Sequence, residues 1–208
     1  ATAIDYAVRH PDRVSHLVVF GSFARGWNRA GLSAAQLEEW ETQAKLIGIG
    51  WGRDNPAFRQ FFTSMFMPEA TAEQMQSFNE LERASTSAET AARFYRAFGE
   101  IDVFELLSKV SVPTLVFHVR GDQVVRFGNG REVAGHIPGA RFVPLKGRNH
   151  IPLEDEPAWR DFLTEFRRFV PGEIPSTDAT PGGTARTPSA DAAALVKASI
   201  GEEARALL

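Results

Sequence analysis

The sequence predicts an α/β fold, and three observations carry that prediction. The runs at 14–20 and 114–119 are apolar and β-branched almost throughout, which is typical of parallel strands buried on both faces. A third run, at 140–145, follows after one helical segment, so strands and helices alternate. Amphipathic stretches at 1–10 and 156–170 flank these runs and would cover the sheet. We therefore expect a parallel sheet with helices packed against it.

The first element is a predicted helix over residues 1–10, and Pro11 stops the helical pattern where a helix would end. A short turn then leads into the strand at 14–20. The chain opens inside a helix, without Met, a capping residue or a leader. We therefore expect Ala1 to be an internal cut, with a further strand before the helix.

Residues 25–107 carry helix signals and no strand signal, which predicts an all-α insertion, called the cap below. Capping boxes, in which two side chains satisfy orphan amides reciprocally, mark three helix starts. These are Ser33 with Gln36, Thr71 with Gln74, and Thr86 with Glu89. Two apolar stripes recur at helical spacing, one of Leu37, Trp40, Ala44 and Ile47, the other of Phe58, Phe61, Phe62, Met65 and Phe66.

The core resumes at 108–170, so that residues 1–24 and 108–170 together are expected to form it, with a helix around 128–136 between the last two strands. The stretch 171–189 has 13 Pro, Gly, Ser or Thr residues among 19, which predicts a flexible linker. Residues 190–208 have helical composition and are expected to be a tail helix or the start of a further domain.

Composition excludes several functions. A formal net charge of −3 gives no basic surplus for nucleic acid, and no apolar run is long enough to predict a membrane helix. The absence of cysteine excludes disulfides and cysteine zinc sites and is compatible with the cytoplasm, where we expect the protein. The five histidines show no second ligand at metal spacing, and no glycine-rich stretch completes a phosphate loop, so we expect neither metal nor organic cofactor.

Two polar residues follow the last two strands, at the edge where ligands bind in open α/β sheets. Asp122 comes after the strand at 114–119, and His150 follows the strand at 140–145. An acid and then a histidine match the order of the second and third members of a Ser, Asp, His triad, in which the acid orients the base. The alternatives are a common Gly-Asp turn and a loop histidine. The other histidines, His118 inside a strand among them, are interpreted as structural.

Four segments resemble the α/β-hydrolase superfamily, in the soluble, cap-bearing form found fused to regulatory domains. They are AIDYAVRHPDRVSHLVVFGS (3–22), VPTLVFHVRGDQVV (112–125), IPGARFVPLKGRNH (137–150) and LEDEPAWRDFLTEFRRF (153–169). The resemblance implies the C-terminal half of a hydrolase sheet with an inserted cap. It makes Asp122 the triad acid and His150 the triad base, and it implies that the nucleophile, Ser or Asp, lies a few residues upstream of Ala1.

The resemblance implies a parent hydrolase of small, fairly apolar esters or related acyl compounds, of which this segment alone would not turn over substrate. Val125 and Ile151 are expected to form the pocket floor, roofed by cap aromatics such as Trp27. The alternative is a sensor module that binds a small molecule without catalysis and signals to a fused domain beyond the linker. A small molecule is the expected partner in both cases, and we expect no nucleic acid or membrane to bind.

Overall fold

Three parallel strands organise the computed structural model, which describes residues 1–53 and 56–170. They are β1 (Leu17–Phe20), β2 (Thr114–Val119) and β3 (Arg141–Leu145), and they lie side by side in that order. The central strand β2 is buried along its whole length, as its continuous hydrophobicity predicts. The predicted linker at 171–189 and tail at 190–208 lie outside the described residues.

Helices make up most of the remaining described residues. They are α1 (Thr2–Arg9), α2 (Ala34–Gly50), α3 (Pro56–Phe66), α4 (Ala72–Ser85), α5 (Ala88–Gly99), α6 (Phe104–Leu107), α7 (Phe127–His136) and α8 (Pro157–Phe169). The alternation of strand and helix confirms the predicted α/β class. In the part of the chain that the structure describes, no helix combines the length and hydrophobicity needed to span a lipid bilayer.

The helices cover the sheet on both faces. On one face, Ile4 of α1 and Val133 of α7 pack with Val116 of β2 in a fully buried cluster. On the other face, the aromatic side of α8 packs against Leu115 and Phe117 of β2. Successive residues of β2 point to opposite faces, so this one strand contributes to both clusters. The result is a three-layer core whose central strand leads to Asp122.

The proposed cap, residues 25–107, is joined to the core by a backbone-paired neck. Gly26 N–H donates to the carbonyl of Ile101 at 2.7 Å, and Val103 N–H donates to the carbonyl of Ala24 at 2.9 Å. Within the cap, α2 packs along α5, and Ile47, Phe62 and neighbouring alanines form a third apolar cluster. The chain therefore leaves and re-enters the core at one place.

Several helix and strand boundaries differ slightly from the sequence prediction, and two of the differences have a clear hydrogen-bond cause. The first strand begins at Leu17 rather than at residue 14, because its ladder starts with the bond from Leu17 N–H to the Pro113 carbonyl. The N-cap residue of α5 is Ser87 rather than Thr86. The Ser87 hydroxyl accepts a hydrogen bond from the N–H of Thr90, while the Thr86 carbonyl accepts one from the Trp51 indole. The capping boxes at Ser33 and Thr71 form as predicted.

Candidate active site

The structure brings Asp122 and His150 together at the carboxyl ends of neighbouring strands. Asp122 lies three residues after β2, His150 lies five residues after β3, and His150 Nδ1 is 2.7 Å from Asp122 Oδ2. The Asp122 side chain is 0% exposed, whereas that of His150 is 18% exposed. A buried acid therefore supports a base that solvent or a ligand can reach.

Asp122 is held by donors on both carboxylate oxygens. Oδ1 accepts the backbone N–H groups of Val124 at 2.8 Å and Val125 at 2.9 Å. Burial alone would raise the pKa of Asp122, but hydrogen bonds from His118 and His150, the charge of His150 and the Val125 amide hold that pKa well below its usual range. The group is thus ionised at neutral pH, as an acid that orients an imidazole must be.

The imidazole of His150 is positioned by its surroundings as well as by the acid. It lies against Gly21, whose φ of +51° favours glycine and where an added Cβ would come within 2.6 Å of His150 Cε1. The ring of Phe66, at the end of α3, meets the imidazole edge-on with centroids 5.5 Å apart. Among the described residues Nε2 has no hydrogen-bond partner, so this nitrogen is free to receive a proton.

The loop that carries His150 is tied to the cap. His150 N–H donates to the carbonyl of Phe66 at 2.7 Å, and Arg148 N–H donates to the Glu69 carboxylate at 3.1 Å. Asn149 is fully buried: its Oδ1 accepts the Glu69 N–H at 2.9 Å, and its Nδ2 donates to the Glu156 carboxylate at the start of α8. The position of the base therefore depends on the cap and on α8 together.

An apolar cavity of about 260 Å³ adjoins the pair from the cap side. Its walls include Trp40, Ile47, Phe62 and Tyr95 from the cap helices. Phe66 and Val124 also line it; the first contacts the His150 ring, and the second donates its N–H to Asp122. The cavity is therefore placed to hold an apolar group next to the base.

Of the three predicted substrate contacts, two line one cavity and the third does not. Trp27 and Val125 line a second cavity of about 250 Å³, which has several polar side chains and shares Trp40 and Val124 with the apolar one. Trp27 stacks face to face on Trp40 with centroids 4.6 Å apart and packs on Tyr95 at 4.8 Å, so it lies behind two walls of the apolar cavity without lining it. Ile151 is 42% exposed and lines neither cavity.

Several residues at the site were not singled out from the sequence. The sequence indicates a structural role for His118, and in the structure its Nε2 lies 3.4 Å from Asp122 Oδ2. Glu156, just before α8, binds the buried Asn149. The signal for Phe66 was its place in the second apolar stripe, whereas nothing in the sequence marks Asn149. Among the described residues no group of three or more ionisable ligands could hold a metal ion.

Two known enzymes are similar in sequence to this chain. No family model matches the chain. It is 27% identical over 176 residues to a pimeloyl-[acyl-carrier protein] methyl ester esterase of Neisseria meningitidis, covering 82% of this chain and 65% of that protein. It is 39% identical over 80 residues to a non-heme chloroperoxidase of Kitasatospora aureofaciens, covering 36% of this chain and 29% of that protein.

A solved structure with the same fold is an α/β-hydrolase enzyme from a Medee basin deep-sea metagenome library. The two chains superpose with a TM-score of 0.64 at 16% sequence identity, and the superposition covers 85% of this chain and 63% of the other. The layered α/β core is that of a hydrolase-type fold. The chain has the α/β-hydrolase fold, and it spans less than two thirds of the length of these relatives.

Proposed function

We propose that this chain carries the acid and the base of an esterase-type α/β hydrolase, Asp122 and His150. The observation that carries the proposal is the 2.7 Å contact between His150 Nδ1 and a fully buried, ionised Asp122, which leaves Nε2 open. The similarity to an esterase over 82% of the chain supports the reaction class. We further propose that residues upstream of Ala1 supply the nucleophile.

The proposed reaction is acyl transfer through a covalent intermediate. The nucleophile's oxygen attacks the ester carbonyl, and if it is a hydroxyl its proton moves to Nε2 of His150. The imidazolium so formed is stabilised by the Asp122 carboxylate and returns the proton to the departing alcohol. Water then releases the acid from the acyl-enzyme, with His150 again accepting and donating the proton.

The proposed substrates are small esters with an apolar acyl or alcohol group. The walls of the cavity beside His150 are almost entirely apolar, and burying an apolar group there gains about 25 cal/mol per Å² removed from water. A strongly charged substituent would lose its hydration in this cavity without finding a partner. The nearby polar cavity, lined by Gln123 and Asn129, offers room for the polar end of such a substrate.

The test is His150→Ala in the parent protein, with hydrolysis of a short-chain nitrophenyl ester as the measurement. We expect kcat/KM to fall by at least about 10³-fold, because the proton of the nucleophile then has no acceptor. His10→Ala, at the exposed end of α1, is the matched control and should keep full activity. Unchanged hydrolysis in His150→Ala would overturn the proposal. Binding of the ester by the wild-type protein without turnover would favour the sensor alternative.

A further inference from the structure

Asp122 contacts a second imidazole besides that of His150. His118 lies in β2, four residues before Asp122, and its side chain is 0% exposed. Its Nε2 is 2.8 Å from the carbonyl oxygen of Val125 and 3.4 Å from Asp122 Oδ2. A carbonyl oxygen and an ionised carboxylate can only accept hydrogen bonds, so Nε2 must carry a proton.

The opposite nitrogen of the same ring has no partner. Nδ1 of His118 is buried, and no described residue hydrogen-bonds to it. Gly130 of α7 faces it so closely that an added Cβ would lie 2.2 Å away, and the edge of the Phe127 ring closes another side. A proton on Nδ1 would be a buried donor without an acceptor, which is costly, whereas a lone pair there is tolerated better. The ring is therefore the neutral Nε2–H tautomer.

We infer that the neutral His118 ring is a positioning residue of the acid–base pair: its Nε2–H donates to the Val125 carbonyl at 2.8 Å and lies 3.4 Å from Asp122 Oδ2. The inference rests on the proposed function, in which Asp122 orients His150. The two imidazoles approach Oδ2 through opposite nitrogens, Nε2 of His118 and Nδ1 of His150. Because the ring brings no charge, it places a polar N–H beside Oδ2 and leaves the full negative charge of Asp122 to stabilise the His150 imidazolium.

His118 also closes the turn that holds the acid. Its bond to the Val125 carbonyl joins β2 to the same residue whose N–H donates to Asp122 Oδ1. Rotation of the carboxylate away from His150 would break the bonds that Oδ1 accepts from the Val124 and Val125 amides, and the bond from His118 holds Val125 in place. A purely space-filling side chain at position 118 would leave the Val125 carbonyl and one lone pair of Asp122 unpaired, although the core could remain folded.

The test begins with ¹⁵N NMR of the histidine rings in the wild-type 208-residue chain. Long-range ¹H–¹⁵N correlations at neutral pH should show His118 protonated at Nε2 only and His150 protonated at Nδ1. A proton on Nδ1 of His118 would overturn the inference. This measurement needs no turnover, so it tests the inference about His118 even if the proposed esterase activity is absent. Failure of the proposed function and failure of this inference are therefore distinguishable.

Two variants test the positioning role. His118→Leu removes the donor, and His118→Gln keeps a neutral N–H donor. In His118→Leu the Nδ1–H resonance of His150 should shift, and in the parent protein kcat should fall about tenfold with little change in KM; His118→Gln should restore both. A folded His118→Leu chain with an unshifted His150 resonance would overturn the role. Should His118→Leu not fold, a His118→Gln chain whose His150 resonance moves away from the wild-type position would overturn it equally.

Discussion

At the scale of single residues, the position of Asp122 depends on Gly130, which lies outside the site and packs against His118. Gly130 of α7 lets the His118 ring pass close to the helix backbone, and a methyl group there would overlap the ring at 2.2 Å from Nδ1. We expect Gly130→Ala to lower the free energy of unfolding by about 1–3 kcal/mol, the usual cost of overpacking a core, although alanine favours helix. Urea denaturation followed by circular dichroism measures this.

Gly128 supplies the control for that substitution, because it lies in the same helix with nothing within 4 Å of an added Cβ. Gly128→Ala should leave stability unchanged or raise it by less than about 1 kcal/mol. Equal effects of the two substitutions would mean that the loss comes from the helix backbone and not from the contact with His118. The comparison therefore isolates the packing of one ring.

At the scale of elements, the loop after β3 that carries His150 is bonded both to the cap and to the start of α8. Asn149 joins the Glu69 amide of the cap to the Glu156 carboxylate that precedes α8. Asn149→Ala would leave both groups unpaired in a buried place, and we expect it to lower the free energy of unfolding by about 2–3 kcal/mol. In the parent protein it should also lower kcat, because the backbone next to His150 loosens.

Asn129→Ala is a suitable control for that prediction, since Asn129 makes no side-chain hydrogen bond within the described residues and lines the polar cavity. Its free energy of unfolding should stay within about 0.5 kcal/mol of the wild-type value. Denaturant unfolding of both variants gives the comparison. A loss for Asn149→Ala no larger than that for Asn129→Ala would show that the tether does not stabilise the fold.

The elements differ in how far the sequence predicts them. The strand at 114–119 is predicted to the residue, because a strand covered on both faces must be apolar throughout and Pro113 marks its start. The Asp122 and His150 contact follows from the same reasoning, since strand ends meet at one edge of a parallel sheet. Their proximity is thus a consequence of topology.

The contacts of His118, Asn149 and Phe66 could not be predicted in this way. A histidine inside an apolar strand shows that the ring is buried, but which groups meet it depends on how α7 lies across the strand. The partner of Asn149 in the cap is 80 residues away in sequence, and no periodicity relates them. Such contacts depend on how separate elements pack: the Glu69 partner of Asn149 is far away in sequence, and the partners of His118 are nearby but are set by the turn after β2.

At the scale of the whole described molecule, the cap and the core share the base. The apolar clusters on the two faces of the sheet and the one in the cap are separate, but His150 is bonded to Asp122 on the core side and to the Phe66 carbonyl on the cap side. A shift of α3 would therefore move the base as well as the wall of the apolar cavity. Substrate contacts with the cap and the placement of His150 are thus physically linked.

The cap also carries a carboxyl group that makes stability depend on pH. Glu82 of α4 is half-buried, and burial raises its pKa to about 7 from an ordinary value of 4.5. The folded chain therefore holds this proton more tightly than the unfolded chain, so the contribution of Glu82 to stability is fully present below pH 4.5 and is lost as pH rises towards 7. Asp122 does not contribute in that interval, because its pKa lies below it.

Replacing Glu82 with Gln removes the charge, so the variant should match the wild-type chain near pH 4 and exceed its free energy of unfolding increasingly as pH rises to 8. Denaturant unfolding at several pH values measures the difference, in which the titration of all other groups common to both chains cancels. A Glu82→Gln difference that stays constant from pH 4 to 8 would mean that folding does not perturb this carboxyl group.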